Sequence, residues 1–216
     1  KIKSGSIAQV YKCKLKHHHT LNVVNCYSEF ALKVVHPEIK YQFCFPILFI
    51  KFYYFLIKNI SCFKKYRTIF NIDEFLNNIK SQIDMNNEYN NLNYYYNAYK
   101  NNEYITIPKP ILCSNNILIM EYVSGESFNE INVSDFEKQK IILLFSLFCK
   151  NNYLFLDYFH GDLHHSNWKV KKYNDFYQLI IYDFGYIVTN NSQNLYKNFL
   201  YYYDLNNFKE IANIMY

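Results

Sequence analysis

Two short clusters carry residue types suited to phosphate chemistry. His160-Gly161-Asp162-Leu163-His164-His165-Ser166-Asn167 sets a carboxylate and a carboxamide five residues apart. Tyr182-Asp183-Phe184-Gly185 adds a second aspartate 21 residues after the first. Phosphoryl transfer uses such a set: one carboxylate orients the attacking oxygen, while an amide oxygen and a second carboxylate hold Mg²⁺, which prefers hard oxygen ligands. A cation on the phosphates is the third requirement, and Lys33 in Phe30-Ala31-Leu32-Lys33-Val34-Val35 meets it. Strand alternation puts Lys33 with Ala31 and Val35, away from Phe30, Leu32 and Val34. A lysine so placed either lies at a solvated edge or is held by an anion.

Each cluster alone has a bland explanation. Asp-x-Gly turns are common, His-Gly-Asp alone suits a loop with an Asx-turn, and one lysine on a strand is ordinary. The order and spacing of all three, with strands first, favour phosphoryl transfer. The alternation of His160, Asp162 and His164 also resembles an imidazole-rich metallohydrolase site. That reading leaves Asn167, Asp183 and Lys33 without roles. His17–His19 reads as a solvated loop, Asp157 and Asp175 as surface or capping residues, and Trp168 as core.

The elements that must position these residues are legible in outline. Ile7–Leu15 reads as a half-buried strand, with Ile7, Tyr11, Cys13 and Leu15 on one face. His17–Thr20 connects it to the strand Phe30–Val35, which His36-Pro37 ends. Phe43–Ile57 is apolar, but it contains Pro46 and Lys51 and falls short of the roughly 18–20 apolar residues of a span, so a buried or interfacial helix is expected. Residues 71–103 read as helical, and Ile111–Cys113 with Ile117–Tyr122 as a hairpin. Ser134-Asp135-Phe136-Glu137 is a capping box opening a helix on which Ile141, Leu144, Phe145 and Phe148 share a face. Trp168–Val170 and Tyr177–Tyr182 read as a strand-turn-strand that returns Asp183 beside Asn167. Residues after Asn191 read as helical. Strands with one helix, then mostly helices, predict an α+β fold in two lobes.

Composition narrows the class. Half of the 216 residues are hydrophobic and aromatics make up 20%, which excludes bulk disorder and supplies one substantial domain or two small lobes. A net charge of +5 helps an anionic ligand to bind without indicating a nucleic-acid protein. Asn, Lys, Ile, Tyr and Phe share AT-rich codons, so single Asn and Tyr positions carry little message. The six cysteines, at 13, 26, 44, 62, 113 and 149, form no Cys-x-x-Cys pair and suggest reduced thiols in an intracellular compartment. The chain starts at Lys1, within a strand-loop-strand pattern, and is expected to be a fragment.

The motifs together resemble the UbiB family, atypical protein-kinase-like proteins associated with coenzyme Q biosynthesis. The resemblance rests on Ser4-Gly5-Ser6-Ile7-Ala8-Gln9-Val10-Tyr11, Ala31-Leu32-Lys33-Val34-Val35-His36-Pro37 and Met120-Glu121-Tyr122-Val123-Ser124-Gly125. It rests also on the His-Gly-Asp-Leu-His cluster and Asp183-Phe184-Gly185, and it runs from residue 4 to about residue 210. It implies a bilobal protein-kinase-like fold, with a sheet-plus-helix lobe over residues 1–123, a mainly helical lobe over 124–216, and MgATP in the cleft between them. Lys33 would contact the phosphates and Asp162 would be the catalytic aspartate. Asn167 and Asp183 would bind Mg²⁺. The backbone of Glu121, Tyr122 and Val123 would meet adenine, and Ser4, Gly5, Ser6, Ile7 and Ala8 would lie over the phosphates. The resemblance further implies support of ubiquinone synthesis, a mitochondrial location, and lipid or ubiquinone-pathway proteins as partners at a membrane surface.

This chain departs from the family in two places, the helix motif and the catalytic loop. The helix motif Glu-x-Asp-x-x-x-Glu-Ala reads Gln82-Ile83-Asp84-Met85-Asn86-Asn87-Glu88-Tyr89, so either Asp84 or Glu88 pairs Lys33 in place of Gln82 or the lysine is less rigidly held. His165 stands where the family usually has proline, and the family's Lys-x-Gly-Gln signature would precede Lys1. No Ala-Pro-Glu follows Asp183-Phe184-Gly185, unlike an ordinary protein kinase. Two alternatives stand beside the UbiB reading. One is a small-molecule kinase of the aminoglycoside or choline type, whose acidic acceptor pocket would have only Asp204 and Glu210 among residues 191–216. The other is a pseudokinase that binds nucleotide and a lipid or protein without turnover.

Overall fold

The computed structural model describes residues 2–14, 29–59, 72–174, 176–189 and 193–215. Leu15, the connection His17–Thr20, Cys26, Cys62 and Asp175 lie outside the described residues. The chain begins with β1 (Lys3–Ser4), β2 (Ala8–Cys13), β3 (Phe30–Val35), α1 (Ile39–Asn59), α2 (Ile72–Ile83), α3 (Met85–Tyr99), β4 (Ile105–Thr106), β5 (Pro110–Ser114) and β6 (Ile117–Glu121). It continues with α4 (Asp135–Phe155), β7 (Tyr158–His160), β8 (Trp168–Lys172), β9 (Tyr177–Ile181), β10 (Ile187–Thr189), α5 (Gln193–Asp204) and α6 (Phe208–Met215). The fold is α+β. Two compact units divide it, Lys1–Asn97 with Pro108–Val123, and Ala98–Ile107 with Ser124–Tyr216.

In the first unit, five strands lie in the order β1-β2-β3-β6-β5 with every pairing antiparallel. β3 is central, and Lys33 stands opposite Val10 on one side and Leu118 on the other. Alternation assigned the lysine correctly to the face of Ala31 and Val35. That face is the more fully buried: Ala31, Lys33 and Val35 are all buried, whereas on the other face Phe30 is buried and Leu32 and Val34 are half-buried. In β2 the buried residue is Ala8, so the face expected inside, Ile7, Tyr11 and Cys13, is only half-buried.

The helical stretch expected over 71–103 breaks at Asp84. Its carboxylate accepts from the Asn86 N–H at 3.0 Å, an N-cap for α3 that satisfies a donor the helix itself cannot. The apolar segment expected as a buried or interfacial helix is α1, and it is not buried. Ile39 and Ile57 are its buried residues, while Tyr41, Phe45, Phe49, Phe52 and Phe55 are exposed, Phe45 at 81%. No helix among the described residues is long and apolar enough to cross a membrane.

The second unit is built on α4. Ser134 and Glu137 close the capping box, the serine hydroxyl accepting from the Glu137 N–H and the Ser134 N–H donating to the Glu137 carboxylate. Ile141 and Phe148 are buried and Phe145 packs at 4.7 Å between ring centroids on Trp168, which is core. β8 and β9 form an antiparallel hairpin, with β4 parallel to β9, and β7 pairs β10 antiparallel. Leu179, Ile180 and Ile181 of β9 are fully buried, as expected of a strand covered on both faces.

Candidate functional site

In the first unit Lys33 and Glu88 form a buried ion pair. Lys33 Nζ lies 2.7 Å from Glu88 Oε1, with the lysine 9% and the glutamate 2% exposed. Of the two acids that stood as partners for Lys33, Glu88 makes the contact and Asp84 caps the helix that carries it. The segment Ser4–Ala8 is the tip of the β1–β2 hairpin, closed by the Gly5 N–H donating to Ala8 O at 2.9 Å. Ser4, Gly5 and Ser6 are exposed. His36 anchors this tip, a part the sequence reading did not assign to it. Its N–H donates to Ile7 O at 3.0 Å and its Nε2 meets Gly5 O at 3.2 Å. Glu121 ends β6 opposite Phe30, its N–H donating to Lys109 O and its carboxylate accepting from the Lys109 N–H. Tyr122 follows with Lys12 Nζ 4.3 Å from its ring centroid, and Val123 is half-buried.

In the second unit the β8–β9 hairpin does what its sequence suggested. Trp168 opposes Ile181, and one step further the Tyr182 N–H donates to Asn167 O at 2.8 Å, so Asp183 follows directly on a residue bonded to Asn167. Asn167 is fully buried. Its Nδ2 donates to the Asp162 carbonyl at 2.9 Å and approaches the Asp162 carboxylate at 3.4 Å. The amide thus turns its nitrogen to Asp162, and the oxygen is the atom of the type a hard cation takes. Asp183 has φ of 61°, the left-handed region that a non-glycine residue enters at a cost of order 1–3 kcal/mol, and such residues cluster at functional sites. Asp162 itself is exposed, with His164 Nε2 3.6 Å from its carboxylate.

His160 locks the two clusters together. Its Nδ1 accepts from the Asp162 N–H at 3.1 Å, which leaves the proton on Nε2 to donate to Tyr182 O at 3.2 Å. Its ring packs edge-on to Phe184 at 5.2 Å. Burial pushes the imidazole below its ordinary pKa, against a smaller upward pull from the Tyr182 carbonyl. With both nitrogens engaged, His160 is not available to the metallohydrolase reading, and no group of three or more His, Cys, Asp or Glu among the described residues is arranged to hold a metal. Gly161 is required sterically, because a Cβ there would lie 2.7 Å from the Tyr186 ring.

The ABC1 atypical kinase-like domain matches residues 1–215. The chain belongs to that family. The rival small-molecule kinase reading is set aside by this match, and the fold is kinase-like. The Rv3197–erythromycin complex from Mycobacterium tuberculosis superposes with a TM-score of 0.70 at 17% identity, covering 99% of this chain and 52% of that one. A Rio2 kinase complex with ADP/Mg²⁺ and phosphoaspartate from Chaetomium thermophilum gives a TM-score of 0.49 at 14% identity, over 91% and 50% of the two chains. The chain therefore spans about half the length of these solved structures. No curated protein matches it in sequence.

Proposed function

We propose that this ABC1-family domain binds MgATP and supports phosphoryl transfer or ATP hydrolysis of the UbiB type. The observation that carries the reading is the hairpin that sets Asp183 one residue beyond the Tyr182–Asn167 bond, with the Asn167 amide fastened to Asp162. The donor set, one amide oxygen and one carboxylate, suits Mg²⁺. When bound, that ion supplies charge neutralisation on the phosphate oxygens. Lys33, held by Glu88, neutralises phosphate charge, and the Ser4–Ala8 tip contributes backbone N–H groups. Glu121 and Val123 meet adenine through the backbone. Asp162 orients the attacking hydroxyl or water and accepts its proton.

Support of ubiquinone synthesis at a mitochondrial membrane belongs to the same reading, through family membership. The exposed aromatic face of α1 supports a peripheral contact with that membrane, since α1 carries Lys40, Lys51 and Lys58 and no acidic residue.

Thermal unfolding with and without MgATP, beside Asp183→Asn, tests the nucleotide claim. Ligand at 100 times its Kd adds about 2.7 kcal/mol, a Tm rise of roughly 5–10 °C at this size. A rise that needs Mg²⁺ and is lost in Asp183→Asn supports the reading. A folded protein whose Tm does not respond refutes it. A response without turnover would favour the pseudokinase alternative.

A further inference from the structure

The first unit contains a cavity of about 580 Å³ that no part of the nucleotide reading uses. The size falls within the range of small-molecule sites, ~300–1,000 Å³. Its walls come from α1, the end of α2, the start of α3 and the β5–β6 turn. Phe43, Ile47 and Leu48 of α1 and Ile83 of α2 supply an apolar surface, and Cys44 of α1 lies exposed beside them.

The polar groups of this wall are unevenly matched. Lys51 of α1 and Lys80 of α2 both line it and are exposed, and neither is ion-paired or hydrogen-bonded among the described residues. Asp84 is the one carboxylate of the wall, and its Oδ1 is spent on capping α3. It accepts there from the Asn86 N–H at 3.0 Å and from Asn86 Nδ2 at 3.2 Å. Asn86 Nδ2 also reaches Asn115 Oδ1 at 3.4 Å, which leaves Asn115 Nδ2 as a further donor on the same wall. Two ammonium groups against one carboxylate leave one positive charge, and the N-terminal end of α3 adds a partial charge of the same sign. A cationic ligand would be opposed there, and a neutral one would leave the ammonium groups unused. An apolar body with a monoanionic head satisfies both parts of the wall.

We propose that this cavity binds a single-chain fatty carboxylate as a free monomer, its chain on Phe43, Ile47, Leu48 and Ile83 and its head at Lys51 and Lys80. The site is separate from the membrane contact proposed for α1, because Phe45, Phe49 and Phe52 do not line it. It requires neither ATP nor turnover. It does adjoin the helix that holds the nucleotide-site lysine, since the Glu88 N–H donates to Asp84 O at 3.2 Å. The ligand therefore lies one helical turn from the carboxylate paired with Lys33.

Decanoate below its micellar concentration is the probe, with decanol as the uncharged control and decyltrimethylammonium as the cationic one. Each is titrated into the intact ¹⁵N-labelled protein. Decanoate should shift the backbone amides of Ile47, Leu48, Ile83 and Glu88 and the Asn115 side-chain amide. It should bind about tenfold more tightly than decanol, the worth of two exposed ionic contacts near the upper end of their range. Decyltrimethylammonium should bind more weakly than decanol, and hexanoate more weakly than decanoate, because a shorter chain buries less apolar area. Lys51→Gln/Lys80→Gln should abolish the preference for decanoate over decanol. Cys44→Trp, at an exposed position on the wall, should weaken binding of both, and Leu48→Trp serves the same purpose should Cys44→Trp fail to fold. Equal affinity for decanoate and decanol, shifts confined to other residues, or a preference that survives the lysine variant would each overturn the proposal. Decanoate binding lost in Phe49→Glu/Phe52→Glu would overturn it too, and would assign the amphiphile to the exposed face of α1. Unchanged decanoate affinity in Asp183→Asn would separate this site from the nucleotide reading, since the cavity does not use Asp183.

Discussion

Replacing Glu88 with leucine should destabilise the protein by about 3–5 kcal/mol, because it removes the carboxylate 2.7 Å from the buried Lys33 ammonium. At an effective dielectric of about 20 that separation gives roughly 6 kcal/mol of Coulomb attraction. Desolvation of two ions costs several kcal/mol each, so the intact pair is close to neutral against an apolar replacement of similar volume. The double variant Lys33→Met/Glu88→Leu should therefore recover most of the lost stability. It should not recover nucleotide binding, because the cation proposed to meet the phosphates is gone. Urea unfolding of the two single variants and the double variant measures the coupling, and MgATP-dependent Tm shifts read the function. A Glu88→Leu loss below about 1 kcal/mol would refute the buried-pair reasoning, since surface pairs are worth that little. A double variant no more stable than the worse single one would refute the argument that breaking this ion pair is the cause.

Gly161→Ala should destabilise by about 1–3 kcal/mol through overpacking against the Tyr186 ring, and Tyr186→Ala in the same chain should relieve it; urea midpoints of both variants check this. The Glu137 carboxyl is held at about 2 by the Tyr177 hydroxyl first, then by the Ser134 N–H and Lys172. Because its pKa is depressed on folding, the stability it contributes is present above its ordinary value of 4.5 and is lost as pH falls from there through about 2. Tyr177→Phe should flatten that acid loss in urea midpoints taken from pH 6 down to pH 3, and an unchanged acid limb would count against it. Vesicles containing anionic lipid should co-sediment the protein more than neutral vesicles, and Phe49→Glu/Phe52→Glu on the exposed face of α1 should abolish the difference. Sedimentation that is insensitive to the double substitution would exclude α1 as the contact.

Much of the architecture was legible because local rules wrote it. The capping box at Ser134 announced α4, His36-Pro37 ended β3, and the apolar runs around Trp168 and Tyr177 announced the hairpin that returns Asp183 to Asn167. These features depend on neighbours a few residues away, so their signals lie within a short window of sequence. Burial was less legible. The face of Lys33 turned out to be the inner one, and α1, apolar along its length, left most of its aromatics exposed. Composition says which residues would gain from burial, but not whether another element is available to cover them.

The candidate chemistry divides along the same line. By themselves the residues of this chain specified a lysine strand, a catalytic-type loop and an aspartate returned beside an asparagine, since each is a contiguous motif or a hairpin of short range. Tertiary structure alone decided that Glu88, 55 residues from Lys33, holds it, while Asp84 turns to capping. It alone made His160 a lock on the loop and brought Lys51 and Lys80, on separate helices, to one cavity. Those outcomes depend on which surfaces meet in three dimensions, and distance along the chain carries no record of that.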